Sequence, residues 1–320
     1  MNQLSVGIIG SNNERHSVYL KEEIERQGAH AFILDNSPDK PYPLSFTEHI
    51  SDYENHPLSD TKVYFLRALF LPSPAFDSSG IKEKMKQEGY AAYSAERERY
   101  AAWLSWLKTA PYQGRTIINP VDTLLIHFAK PYHLEVLRAA DIPVPKTLVT
   151  GNPSKLLEFS KGRKLIYKPV AGGALCRLLT DEDKDPERLK TLVNAPVQFQ
   201  EYIEGDDIRV FVLGGKVIAS FLVEGEGIDY REKTTSVKPF PLTKEISNLC
   251  IRACHALGLT FSGVDLKLRP DGSVVCIECN PSPMFEGFDQ VAPVSIVSQL
   301  AAYLIDIAKQ AQPVHMNELV

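Results

Sequence analysis

Long apolar runs are missing from this 320-residue chain. No stretch approaches the roughly 20 residues that a membrane-crossing helix needs. The opening M-N-Q-L-S-V-G-I-I-G-S reads as a strand and not as a signal peptide. A soluble, cytoplasmic protein with no membrane partner is the expectation. A basic excess is missing too: 35 Lys and Arg stand against 40 Asp and Glu, a net charge of −5, which argues against a nucleic-acid partner. Cysteine is sparse and odd in number, at Cys176, Cys250, Cys254, Cys276 and Cys279. Without a signal, that argues against a disulfide framework. Cys276 and Cys279 make the one C-x-x-C. On a regular strand their side chains point to opposite faces, so all five are expected as reduced, mostly buried thiols. The dinucleotide fingerprint G-x-G-x-x-G and the nucleophile elbow G-x-S-x-G are absent, as are internal repeats and low-complexity tracts.

The 44% hydrophobic content suits a sizeable core, and the length suits two to three domains. Leu4–Gly10, the helical spacing of Val18, Leu20 and Ile24, and Ala31–Asp35 form a β-α-β start that predicts a parallel sheet. Residues 36–60 are polar and punctuated by prolines, and read as loop. Residues 63–71 form an apolar strand interrupted by Arg67, a charge that either snorkels out or faces a cleft. Residues 95–108 read as a helix with Trp103 and Trp106 in the core. Asp122 is expected to cap a helix reaching Phe128, and Lys130-Pro131 to open another, with a domain boundary near residue 120.

The richest stretch is F-S-G-V-D-L-K-L-R-P-D-G-S-V-V-C-I-E-C-N-P-S-P, from Phe261 to Pro283. Pro270-Asp271-Gly272 reads as the turn of a hairpin. Glu278 and Asn280 then share one face of the second strand, and Asp265 can lie opposite them. Two carboxylates and an amide oxygen make a hard ligand set suited to Mg²⁺ or Mn²⁺. A solvated acidic face is the plainer alternative, and Lys267 is an alternative partner for Asp265. The surrounding valines, leucines and isoleucines favour burial, where a carboxylate needs a compensating cation.

Several further elements occur in order: Lys130 in A-K-P-Y, Lys168 in Y-K-P-V-A-G-G-A, Gln200-Glu201-Tyr202-Ile203, Asp207 before Ile208-Arg209, and Asp229-Tyr230-Arg231. With G-V-D and E-C-N-P-S-P they resemble the ATP-grasp superfamily, in its RimK-like carboxylate–amine ligase branch, over residues 120–310. The resemblance implies an α/β (α+β) class. Two α+β subdomains, 121–195 and 196–312, would clasp ATP after a small parallel-sheet domain at 1–120, with a tail at 313–320. It implies that Lys130, Lys168 and the backbone of Gly172 and Gly173 reach the nucleotide phosphates. Gln200, Glu201, Tyr202 and Ile203 would bind the adenine edge, and Asp207 the ribose, with Asp206 competing for that role. Asp265, Glu278 and Asn280 would hold two Mg²⁺ ions, or Mn²⁺. Arg209 and Arg231 would stabilise charge on the transferring group. Ser282, Arg67 and His16 are candidate substrate contacts. The chain departs from the family pattern in a shorter glycine turn after Lys168 and in Pro281.

The implied reaction is ADP-forming: a carboxylate is phosphorylated by ATP, and an amine displaces the phosphate to make an amide. The partners would be small-molecule or peptide acids and amines, with self-association left open. The competing expectations are a ligase that forms lactams or esters on a precursor peptide, and a nucleotide-binding scaffold without catalysis.

Overall fold

The computed structural model describes residues 4–37, 42–48, 50–69, 86–124, 126, 129–170, 175–228 and 233–310. The chain divides into two compact units. One comprises residues 1–121 with 297–320, the other residues 122–296.

In the first unit, strand β1 (Ser5–Gly10) leads into the helix Arg15–Arg26 and strand β2 (His30–Asp35). Glu14 caps that helix, its carboxylate accepting from the Ser17 N–H at 2.7 Å. Short strands β3 (Leu44–Phe46), β4 (Ser51–Tyr53) and β5 (His56–Pro57) follow, then β6 (Val63–Leu66) and, after the helix Tyr90–Thr109, β7 (Thr116–Ile118). Four of these make a parallel sheet in the order β2-β1-β6-β7. That is the β-α-β start expected from the apolar runs. Val6, Ile8, Ile9 and Val63 to Leu66 are buried in it, and Trp103 and Trp106 are buried with them.

Residues 44–57, expected as loop, instead form a three-stranded antiparallel ribbon, β3-β4-β5. Its strands are too short to show a period-2 pattern, and tertiary contacts hold them. The Tyr53 hydroxyl accepts from the Asp35 N–H at 2.9 Å. Ser51 Oγ accepts from Trp106 Nε1 and Arg115 Nη1, both at 3.1 Å. The strand expected over 63–71 ends at Leu66, and residues 70 and 71 lie outside the described set. The last helix, Ile296–Gln310, joins this unit through Gln27, whose amide nitrogen donates to the Ser298 carbonyl at 3.0 Å.

The second unit holds two sheets. Strands β8 (Thr147–Thr150), β9 (Leu165–Pro169), β10 (Arg177–Leu178) and β11 (Val197–Glu201) pair in the order β10-β9-β11-β8. Leu156, Leu165, Leu189, Leu192 and Phe199 form the core beneath one face. Strands β12 (Asp206–Leu213), β13 (Lys216–Glu226), β14 (Lys233–Pro239), β15 (Phe261–Leu268) and β16 (Val274–Asn280) make an antiparallel sheet in the order β14-β13-β12-β15-β16. One face packs Ile208, Val210, Val212, Val264 and Leu266 against Cys250, Ala253 and Cys254 of the helix Lys244–Ala256. After the expected boundary, Val121–Leu124 is a 3₁₀ turn and Ile126 is helical, while residues 125, 127 and 128 lie outside the described set. Among the described residues, no helix is long and apolar enough to cross a membrane.

A Cβ added at Gly7 on β1 would sit 2.3 Å from Tyr64 Cδ1. That ring is fully buried and meets Trp106 edge-on, 5.2 Å between centroids, so it has little room to yield. Gly7→Ala should cost about 1–3 kcal/mol, read as a lower urea midpoint at unchanged slope.

Candidate active site

The site is built from cross-strand pairs on the face of the five-stranded sheet opposite the helix. Arg209 on β12 stands beside Asp265 on β15, and Asp265 stands beside Glu278 on β16. Directly paired residues in an antiparallel sheet project to the same side, so one guanidinium and two carboxylates share this face. Asn280 follows Glu278 by two residues and donates Nδ2–H to Asp265 Oδ2 at 3.1 Å. The sequence-expected trio Asp265, Glu278 and Asn280 is therefore brought together. Among the described residues no three His, Cys, Asp or Glu side chains converge as a metal cluster. What the face offers is two carboxylates and one amide oxygen.

Each carboxylate has a cation. Arg209 Nη1 lies 2.7 Å from Asp265 Oδ1. The arginine side chain is only 7% exposed, and its guanidinium carbon lies 5.3 Å and 5.8 Å from the ring centroids of Phe211 and Phe288. Lys130 Nζ lies 2.5 Å from Glu278 Oε1, with side-chain exposures of 13% and 19%. Burial pushes the Glu278 carboxyl up, but the Lys130 ammonium, with Lys168 contributing, outweighs it and lowers the carboxyl to about 2. Glu278 is thus an anion at neutral pH. Lys267, considered as an alternative partner for Asp265, instead pairs with Asp207 at 2.8 Å. The register sets Asp207 against Lys267 and Arg209 against Asp265.

The strand carrying Glu278 is not regular. Asp265 pairs with Glu278, but Leu266 pairs with Cys276, so Ile277 is an extra residue, a β-bulge. The bulge corrects the reading of Cys276 and Cys279 as pointing to opposite faces. Both join the buried core on the helix side, with their Sγ atoms 3.9 Å apart. None of the five cysteines is in a disulfide, and Cys176 is half-buried.

Lys130 opens the helix Lys130–Ala139. One turn later His133, buried, accepts the Cys279 N–H on Nε2 at 3.2 Å. That bond requires an unprotonated Nε2 and ties the helix bearing Lys130 to the strand bearing Glu278. The sequence reading missed His133. Its spacing of three from Lys130, which places both on one helix face, is the signal that could have found it.

On the four-stranded sheet, Lys168 Nζ donates to Gln200 Oε1 at 3.2 Å, and Gln200 Nε2 donates to Thr147 Oγ1 at 3.0 Å. In the following stretch the Glu201 and Tyr202 N–H groups are taken by the carbonyls of Lys146 and Lys164, both at 2.9 Å. The Ile203 N–H has no partner among the described residues. The Glu201 carboxylate accepts from the Lys146 N–H at 3.3 Å and faces Arg269, so its side chain serves the fold. Ser282 is half-buried just after β16. His16 and Arg67 belong to the first unit. His16 is buried in the first turn of the helix Arg15–Arg26, and Arg67 pairs with the capping Glu14 at 3.2 Å. Gly172, Gly173 and Arg231 lie outside the described residues.

A family model described as a RimK-like ATP-grasp domain matches residues 129–304. A probable alpha-L-glutamate ligase of Maridesulfovibrio salexigens is 33% identical over 174 residues, covering 52% of this chain and 54% of that protein. This chain thus spans about half the length of that relative. A tetrahydromethanopterin:alpha-L-glutamate ligase of Methanococcus maripaludis is 28% identical over 207 residues, 61% of this chain and 70% of that one. Among solved structures, the ATP-grasp ligase PsnB complexed with a minimal precursor, Mg and ADP superposes with a TM-score of 0.83 at 28% identity, covering 95% of this chain and 97% of that one. The Microcystis aeruginosa macrocyclase MdnC, bound with its precursor peptide, shares the fold at a TM-score of 0.76 and 18% identity.

Two outcomes test this geometry. A Cβ added at Gly263 would lie 2.4 Å from Arg209 Nη2. Gly263→Ala should therefore push the guanidinium off Asp265 and cut turnover by at least about tenfold, while unfolding shifts by only about 1 kcal/mol because a side-chain tip can yield. Unchanged turnover would show that the guanidinium does not need to lie across Gly263. The second concerns acid. A carboxyl held near 2 when folded, against 4.5 ordinarily, stabilises the fold fully above its ordinary value and loses that contribution as pH falls toward 2. The stability difference between wild type and Glu278→Gln should therefore shrink by on the order of 2–3 kcal/mol from about pH 6 to about pH 2.5, measured by denaturant titration.

Proposed function

Because the chain belongs to the RimK-like ATP-grasp family, we propose that it is an ATP-dependent, ADP-forming carboxylate–amine ligase. The observation that carries this reading is the charge-compensated face on which Arg209, Asp265, Glu278, Asn280 and Lys130 meet. A scaffold that only binds nucleotide has no use for two adjacent, costly carboxylates, each needing its own cation.

The donor set fits Mg²⁺. Asp265 and Glu278 offer ionised carboxylates, and Asn280, donating its nitrogen to Asp265, keeps its amide oxygen for a cation. The same oxygens would accept Mn²⁺, and a second ion would add to the charge available for a triphosphate. When bound, such ions neutralise phosphate charge. The chain's own residues do the rest. Lys130 and Lys168 supply positive charge to the phosphates, assisted by the backbone of Gly172 and Gly173. The hinge 200–203 takes the adenine edge, with Ile203 as its free backbone donor, and Asp207 takes the ribose. Subdomains 121–195 and 196–312 would enclose the nucleotide. A substrate carboxylate oxygen attacks the γ-phosphorus and ADP leaves. An amine then attacks the acyl phosphate carbon, the C–O bond to phosphate breaks, and an amide forms. Arg209 and Arg231 would hold the negative charge on the acyl phosphate and on the tetrahedral oxygen that follows.

A second reading narrows the substrate. A likeness that spans nearly the whole chain, the first unit included, is to PsnB complexed with a precursor. The alpha-L-glutamate ligase of Maridesulfovibrio salexigens aligns with only about half of it. This favours a carboxylate carried on a peptide, joined to an amine as a lactam or to a hydroxyl as an ester. Ser282, Arg67 and His16 remain the proposed substrate contacts.

The test is ADP and phosphate release from Mg·ATP with amino acids, dipeptides, dicarboxylates and acidic peptides, with product masses by mass spectrometry. A product equal to acid plus amine minus water supports the ligase. ATP hydrolysis that no acid–amine pair stimulates, and that leaves no condensed product, would count against it. Asp265→Ala and Glu278→Ala should each lower turnover by a factor on the order of 10³ or more with secondary structure retained. Wild-type turnover in either would remove the metal assignment.

A further inference from the structure

Gln198 lies on β11 and is fully buried. Neither its Oε1 nor its Nε2 has a hydrogen-bond partner among the described residues. A buried amide with both ends unmet is rare, because each end loses water and gains nothing in return. The register sets Gln198 directly opposite Lys168 on β9 and two residues from Gln200. Its side chain therefore shares the face on which Lys168 and Gln200 bond to each other, and not the face that carries Phe199 into the core.

The geometry points to Gln198 as the side chain that selects the nucleobase, reading the N6–N7 edge of adenine. This rests on the nucleotide site proposed above. A phosphate could take the Nε2 donor but would leave Oε1 unmet and facing another acceptor. The N6–N7 edge of adenine offers a donor and an acceptor side by side, the complement of a carboxamide. Hypoxanthine and guanine present two acceptors there, O6 and N7, so the Gln198 Oε1 would stay unpaired. Gln198 thereby adds a preference for ATP over ITP and GTP to whatever the hinge backbone contributes.

The experiment compares dissociation constants of ATP, ITP and 7-deaza-ATP for the full chain, wild type and Gln198→Met, by calorimetry. Met keeps the unbranched shape and removes both polar ends, and Gln198→Leu serves as a second variant. Wild type should favour ATP over both analogues. Gln198→Met should bind ATP about tenfold more weakly, lose at least about fivefold of the ATP:ITP ratio, and treat 7-deaza-ATP like ATP. Without nucleotide, both variants should melt at or above the wild-type temperature, because two unmet polar atoms are gone. An ATP:ITP ratio unchanged in both variants overturns the assignment while leaving the nucleotide site standing. A lower melting temperature in both also overturns it, since the amide would then be structural. Wild type that binds none of the three nucleotides overturns the site itself, and this inference with it.

Discussion

Two carboxylates on one half-buried sheet face impose the constraint that the rest of the second unit answers. A carboxylate on such a face loses solvation unless a cation stands close by, and both Asp265 and Glu278 have one. The chain meets the demand with one cation from within the sheet and one from outside it. Arg209 comes from the neighbouring strand and lies flat over Gly263, packed on Phe211 and Phe288. Lys130 comes from the start of a helix that His133 fastens to the strand backbone. The glycine, the phenylalanines and the histidine are thus parts of one electrostatic arrangement. Under the proposed reading, a hard cation held by the carboxylates would leave the same lysine and arginine with charge to direct at an anionic ligand.

The two sheets divide the labour by chemistry. The five-stranded sheet carries the acids and their cations. The four-stranded sheet carries amides, Gln198 and Gln200, beside the single ammonium of Lys168. Charge on one side and hydrogen-bonding shape on the other suit a ligand that is an anion at one end and a flat polar ring at the other.

Much of this was legible in the sequence, for definite reasons. G-V-D and E-C-N sit in apolar runs, so their carboxylates stood out as buried charge, and the hairpin turn fixed which residues could face each other. The parallel start was legible because Leu4–Gly10 and Ala31–Asp35 are nearly all apolar. Other features left no local trace. The ribbon of residues 44–57 depends on Asp35, Trp106 and Arg115, far away in sequence. The fates of Lys267 and Arg209 depended on a cross-strand register that spacing alone does not give. Gln198 reads as an ordinary alternation partner of Gln200 until its surroundings show that nothing meets it.

The bulge at Ile277 sets how this strand can change over evolutionary time. Glu278 and Asn280 look one way and Cys276 and Cys279 the other only because one residue is out of step. Replacing a side chain here alters volume or charge at a single point. Deleting Ile277 would reverse the facing of everything on one side of it, sending either the acids into the core or the core thiols onto the open face. A lineage can therefore revise the core letters of this strand one at a time, while its length stays locked.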